Sequence, residues 1–194
     1  NAIAQSHQGY LWLGTRDGVA RFDGVRFKVF GLEDALQSVD IQCLLEDHSG
    51  TLWIGTYGGG LARLQAGQVE VIPTAIRRAG SDIVTALAED ATGRLWVGTR
   101  AGLRFLQQGR LVEEPAFEKI AGIPIRALMQ DRSGVMWIAT SGDGLHEWRG
   151  GQLLLTKGPF ADPRILAHCL LEDRKGWLWV SIGNGMVLCR REGT

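Results

Sequence analysis

The chain has 194 residues, 45% of them hydrophobic and 22% charged, with 21 Lys+Arg balanced by 21 Asp+Glu. Such a composition can bury a core, and a chain with no net charge and no basic run is a poor partner for duplex nucleic acid. Its apolar runs are strand-length, too short to cross a membrane, it shows no signal peptide, and its opening on Asn1 reads as a piece of a longer protein.

One unit recurs along the chain. Its tryptophan falls at Trp12, Trp53, Trp96, Trp137 and Trp179, a period of 41 to 43 residues. A period near 40 in a sequence of short strands and glycines points to propeller blades or a similar array. Each unit divides into four strands, A to D, clearest in the second copy at 41–46, 51–56, 61–64 and 68–72. Asp47-His48-Ser49-Gly50 joins A to B, with Asp suited to the first turn position and Gly to the left-handed one. Asp90, Asp131 and Asp173 recur there, and Ser6 stands in the first copy as a weaker turn cap. The B–C turns are glycine-rich, and the C–D turns run through Asp23-Gly24, Ala66-Gly67, Gln108-Gly109 and Gly150-Gly151. Longer loops at about 31–40, 73–82, 115–124 and 158–166 then carry the chain to the next unit.

Strand A is apolar on both sides, as in Leu44-Leu45 and Leu170-Leu171, so it should be buried on both faces. Two residues after each Trp stands Gly14, Gly55, Gly98, Ala139 or Ser181, small enough to let adjacent sheets approach. The expected fold is therefore an all-β propeller of four-stranded antiparallel blades stacked about an axis, with stability supplied by neighbours. The five blades are set at about 1–30, 41–72, 83–114, 125–156 and 167–194, the last lacking its outermost strand. The tryptophans and turn aspartates read as structural. Cys43 and Cys169, ten residues before a Trp, read as small buried apolar residues, and no cysteine spacing indicates a metal site.

The fullest copy, from Leu44 to Leu64, reads Leu-x-Glu-Asp-x-x-Gly-x-Leu-Trp-Ile-Gly-Thr and continues to Gly-Leu-x-Arg-Leu. This resembles the two-component regulator propeller repeat. The resemblance implies a ring of about seven blades. It also implies an extracytoplasmic, periplasmic sensor region of a bacterial membrane receptor whose output is a histidine kinase or a diguanylate cyclase, with possible homodimerisation through the receptor. The fifth copy departs most, with Ser181-Ile182 in place of Gly-Thr. WD-repeat blades are set aside because no Asp follows the Trp, and sialidase Asp-boxes because the Gly comes one residue late.

The strand order places the B–C turns and the starts of strand A on one face and the Asp turns on the other. The first face varies between copies, which suits recognition. Eleven residues before each Trp stand Asn1, Gln42, Thr85, Arg126 and His168, a polar position on the innermost strand. With Arg16, Tyr57, Arg100, Asp143 and Asn184 of the B–C turns, these are the candidate ligand contacts, for a glycan or an anion. The competing reading is a water-filled channel that is polar for want of anything else to fill it. No catalytic residues, no cofactor and no metal are expected. The regularly placed acids lie in turns, and the four histidines are scattered. A protein-interaction or dimerisation propeller without a small ligand is the alternative function, and a lyase-type propeller a more remote one.

Overall fold

A computed structural model describes residues 2–73, 79–156, 162, 166–183 and 187–191, the last five by backbone alone. Its strands form five antiparallel sheets, each in simple sequential order. The first contains β1 (Ala2–Gln5), β2 (Leu11–Gly14), β3 (Val19–Phe22) and β4 (Phe27–Phe30). The second contains β5 (Ile41–Glu46), β6 (Leu52–Thr56), β7 (Leu61–Gln65) and β8 (Gln68–Val71). The third contains β9 (Val84–Glu89), β10 (Leu95–Thr99), β11 (Gly102–Gln107) and β12 (Arg110–Val112). The fourth contains β13 (Ile125–Gln130), β14 (Met136–Thr140), β15 (Leu145–Arg149) and β16 (Gln152–Leu155). The fifth sheet has three strands, β17 (Ala167–Glu172), β18 (Trp177–Ile182) and β19 (Val187–Arg191). Two of the inter-blade loops contain short 3-10 segments, Leu32–Asp34 and Pro115–Ile120. The C–D turn of the first blade is longer than Asp23-Gly24 alone. Phe22 faces Phe27 across it, and Asp23 Oδ1 accepts from the amides of Val25 and Arg26.

The apolar cores lie between blades. Trp12, Ile41, Leu52 and Ile54 join blades 1 and 2, while Trp53, Val84, Leu95 and Val97 join blades 2 and 3. Trp96, Ile125, Met136 and Ile138 join blades 3 and 4, while Trp137, Ala167, Leu178 and Val180 join blades 4 and 5. Each Trp therefore points towards the following blade, and the residues on either side of it point back. The glycine two residues after Trp sits at the closest approach. A Cβ on Gly98 would lie 2.7 Å from Ile125 Cγ2, and one on Gly55 would lie 2.7 Å from Val84 Cγ1. Where the small residue is Ala139, the facing residue shrinks as well, to Ala167.

Strand B records which neighbours exist. In β6, β10 and β14 every residue is buried, as two-sided cover requires. In β2 the two leucines that face away from blade 2 are only half-buried. In β18 Trp179 is 39% exposed, against 7% or less for the four equivalent tryptophans. Ile3 on the outer side of blade 1 and Leu171 on the outer side of blade 5 are also exposed. Cys169, expected to be buried, is exposed for the same reason, while Cys43 lies half-buried against Val84 of the next blade. The innermost strands β1, β5, β9, β13 and β17 pack in succession, and no comparable packing joins β17 back to β1 among the described residues. The five blades form an open arc whose two end faces are apolar.

Candidate functional site

The repeated residues are engaged in holding the blades together. Asp47 Oδ1 accepts from the amides of Ser49 and Thr51 and from the Ser49 hydroxyl, while Oδ2 accepts from Trp53 Nε1 at 2.7 Å. Asp90, Asp131 and Asp173 bind Trp96, Trp137 and Trp179 in the same way, at 2.8, 2.7 and 3.0 Å. One carboxylate thus closes the turn and fixes the indole that fills the next junction. Burial works to raise the carboxyls of Asp47, Asp90 and Asp131, but the hydroxyl, indole and amide donors outweigh it and hold them below the usual carboxylate range. The indole of Trp179, with amide donors, does the same for Asp173.

The threonine three residues after Trp caps the opposite turn. Thr15, Thr56, Thr99 and Thr140 donate to the carbonyls of Gly18, Gly60, Gly102 and Gly144, at 2.8–2.9 Å. The fifth copy has Ile182 there and cannot make this bond.

Sequence reasoning missed a clamp between blades. The residue just before the turn Asp reaches back to the preceding blade. Glu46, Glu89, Gln130 and Glu172 accept from the amides of His7, His48, Ala91 and Arg132, at 2.7–2.9 Å. The His7 and His48 rings add a second contact to Glu46 and Glu89, and Arg132 forms an ion pair with Glu172 at 2.8 Å. The recurrent Glu at 46, 89 and 172 was the signal, hidden because the adjacent Asp already accounted for the turn.

The variable face is built differently. Register in strand A breaks at one point in blades 2 to 5, as where Ile41 pairs with Thr56 and Cys43 with Gly55. The skipped residues are Gln42, Thr85, Arg126 and His168, the polar positions eleven residues before Trp. Each is the extra residue of a β-bulge on the innermost strand, and a bulge re-aims its side chain away from the regular pleat. The B–C turns lie alongside, since the amides of Tyr57, Arg100 and Ser141 donate to carbonyls at Asp40, Ile83 and Pro124 just before strand A.

These residues differ in how free they are. The Thr85 hydroxyl donates to Ile125 O at 2.6 Å and bridges two blades. Gln42 donates to Asp40, and Asp143 pairs inward with buried His146 at 3.2 Å. Arg126 reaches Ser141 Oγ only at 3.4 Å and is exposed, as are His168 and Arg16. Exposed Tyr57 and Arg100 meet across a blade junction, with the guanidinium 5.1 Å from the ring centroid. Asn1 and Asn184 lie outside the described residues. Arg16, Arg126, His168 and the Tyr57–Arg100 stack are therefore the accessible candidates, able to hydrogen-bond and to stack on a ring. No group of three or more His, Cys, Asp or Glu side chains is placed to hold a metal among the described residues.

Five antiparallel sheets joined through inter-blade cores, with a bulged innermost strand, define a β-propeller. Residues 35–58, 79–101 and 119–142 match the model of the family described as Two component regulator propeller. No match is found among curated proteins. Among solved structures, the chain is similar to the extracellular domain of a hybrid two component system from B. thetaiotaomicron, with a TM-score of 0.84 at 19% identity. That alignment covers 100% of this chain and 27% of the other. A second such domain from the same organism aligns with a TM-score of 0.75 at 23% identity, over 95% of this chain and 26% of the other. Virginiamycin B lyase from Staphylococcus aureus aligns with a TM-score of 0.76 at 14% identity, over 100% of this chain and 70% of the lyase. The chain thus spans about a quarter of the length of these two extracellular domains, and these likenesses establish the fold.

Proposed function

We propose that the chain is a non-catalytic, ligand-sensing part of the extracytoplasmic, periplasmic region of a two-component-type receptor. The observation that carries this reading is the contrast between the two faces. The residues that repeat are engaged in turns, caps and clamps. The polar residues that do not repeat stand at bulges on the innermost strand, beside the B–C turns, whose backbone is capped while the side chains of Tyr57 and Arg100 stay exposed. A glycan or small organic anion would bind there through Arg126, His168 and the Tyr57–Arg100 stack. Occupancy would pass to a kinase or cyclase output beyond this region. The family match and the similarity to extracellular receptor domains support the signalling context.

The apolar end faces support a larger ring. Ile3 and the half-buried leucines of β2 match surfaces that elsewhere receive a preceding Trp, and Trp179 with Leu171 match surfaces that elsewhere face a following blade. Further blades would cover both. The same faces favour, as a second reading, a platform for protein association. A thermal-shift screen with neutral oligosaccharides tests the sensing reading. A compound that raises the melting temperature of the parent chain should lose its effect in Arg126→Ala, His168→Ala or Tyr57→Ala. If all three variants respond as the parent does, the bulge face is not the binding site.

A further inference from the structure

Two of the larger cavities on the Asp-turn face are not explained by the sensing face. One, between blades 1 and 2, holds about 380 Å³ and is bordered by Tyr10, Trp12, Arg21 and Glu46. The other, between blades 3 and 4, holds about 460 Å³ and is bordered by Arg94, Trp96, Gln130 and Trp148. They occupy equivalent places. Tyr10 and Arg94 both stand two residues before the repeated Trp, and Glu46 and Gln130 are the clamp acceptors of the following blade.

At each, a bordering arginine lies over an aromatic ring, which borders the first cavity but not the second. The Arg21 guanidinium is 4.5 Å from the centroid of Tyr10 and 5.9 Å from that of Trp12. The Arg94 guanidinium is 4.6 Å from the centroid of Phe105. The two partners have exchanged positions. Arg21 faces Trp12 across the sheet, and Phe105 faces Trp96 in the same way. The aromatic is therefore on strand C in blade 3 and before strand B in blade 1, with the arginine in the other place. Blade 2 has neither arrangement, because Arg63 is held by Glu70 at 2.6 Å. Blade 1 has Lys28 where Glu70 stands, so Arg21 has no such partner.

The carboxylates nearby are committed elsewhere. Glu46 is held by His7, Asp23 by the amides of its own turn, and Asp90 by Trp96 and the Thr92 turn. No ion pair within 4.0 Å reaches Arg21 or Arg94 among the described residues, although the Arg21 charge is felt at the Asp23 carboxyl. A guanidinium seated on a ring keeps its N–H edge free for a bidentate carboxylate, and the ring limits the rotamer freedom that binding would remove.

We propose that the two cavities are equivalent sites for small organic carboxylates of sugar-acid size. Arg21 or Arg94 takes the carboxylate, and the neighbouring Tyr10 or Trp148 takes the body of the molecule. Their volumes match the smaller end of small-molecule pockets. These sites are separate from the bulge face, so either can fail without the other.

Isothermal titration of the chain with galacturonate tests this, with galactose and inorganic phosphate as parallel arms. The expected result is saturable binding of one galacturonate per cavity, about tenfold or more tighter than galactose or phosphate, as a bidentate contact requires. Arg21→Gln and Arg94→Gln should each remove one site, the double variant both, and Arg63→Gln neither. Should Arg94→Gln fail to fold, Arg94→Lys keeps the charge without the fork and should weaken its site about tenfold. The proposal is overturned if a folded double variant binds galacturonate like the parent. It is equally overturned if galactose or phosphate binds as tightly, or if the parent shows no saturable binding at millimolar galacturonate.

Discussion

Ser6→Asp should stabilise the chain, which is an uncommon outcome for a single substitution at a buried turn. Trp12 Nε1 is buried and has no hydrogen-bond partner among the described residues, whereas the four equivalent indoles donate to an aspartate at 2.7–3.0 Å. Among the described residues Ser6 Oγ accepts only the Tyr10 amide, at 3.0 Å. An aspartate would keep that bond and add a charged acceptor for the indole. A hydrogen bond to a charged group contributes about 1.5–3 kcal/mol, from which the cost of partly burying the carboxylate is subtracted, leaving about 1–2 kcal/mol. For a chain of this size that corresponds to a rise of about 2–8 °C in Tm. Urea denaturation at pH 7 and thermal melts at several pH values measure it. The added carboxyl should be held low in the folded state, as in the other copies. The gain should therefore be complete above the unfolded carboxyl pKa and vanish as pH falls through the folded one. The reciprocal variant Asp90→Ser should cost about 1–3 kcal/mol by orphaning Trp96 Nε1. An unchanged or lower stability of Ser6→Asp at pH 7, in a folded protein, would refute the claim that the Asp–Trp bond is the unit that fixes each blade.

Further outcomes follow from the same contacts. Gly98→Ala should destabilise by about 1–3 kcal/mol through its approach to Ile125, and a double-mutant cycle with Ile125→Ala, which imitates the Ala139–Ala167 junction, should show favourable coupling in urea melts. The hydrogen bond and charge of Glu89 raise the His48 pKa, so the parent should lose stability relative to His48→Gln as pH rises from the unfolded histidine value through the raised folded one; equal pH profiles would remove the side-chain part of the clamp. Burial pushes the Cys43 thiol up to about 12, so iodoacetamide at pH 8 should modify exposed Cys169 well before Cys43, as peptide mass mapping would report.

The fold was legible because every blade solves the same packing problem with the same residues. The period of the tryptophans gave the blade count, and the apolar pairs of strand A implied cover on both sides. The small residue after Trp told of a close approach, which Gly98 against Ile125 explains. Three things were not legible. The Glu before each turn Asp acts on the preceding blade about 40 residues away, a relation that spacing within one repeat does not express. The bulges depend on backbone register, so the polar residues eleven before Trp could be placed on the right strand without the irregularity that exposes them. The engagement of Thr85 and Asp143 depends on partners, Ile125 O and His146, that the turn pattern does not identify.

The central claim is that repeating residues hold the propeller and non-repeating ones bind. Blade 4 offers both kinds in Asp131, which holds Trp137, and Arg126 at the bulge. The direct measurement is a crossed one, using a compound that stabilises the parent chain in the screen. Tm and Kd are determined for Asp131→Asn and for Arg126→Ala. Asp131→Asn should lower Tm with Kd unchanged, and Arg126→Ala should weaken binding about tenfold or more with Tm unchanged. Weaker binding in Asp131→Asn than in Arg126→Ala, or a fall in Tm without loss of affinity in Arg126→Ala, would contradict it.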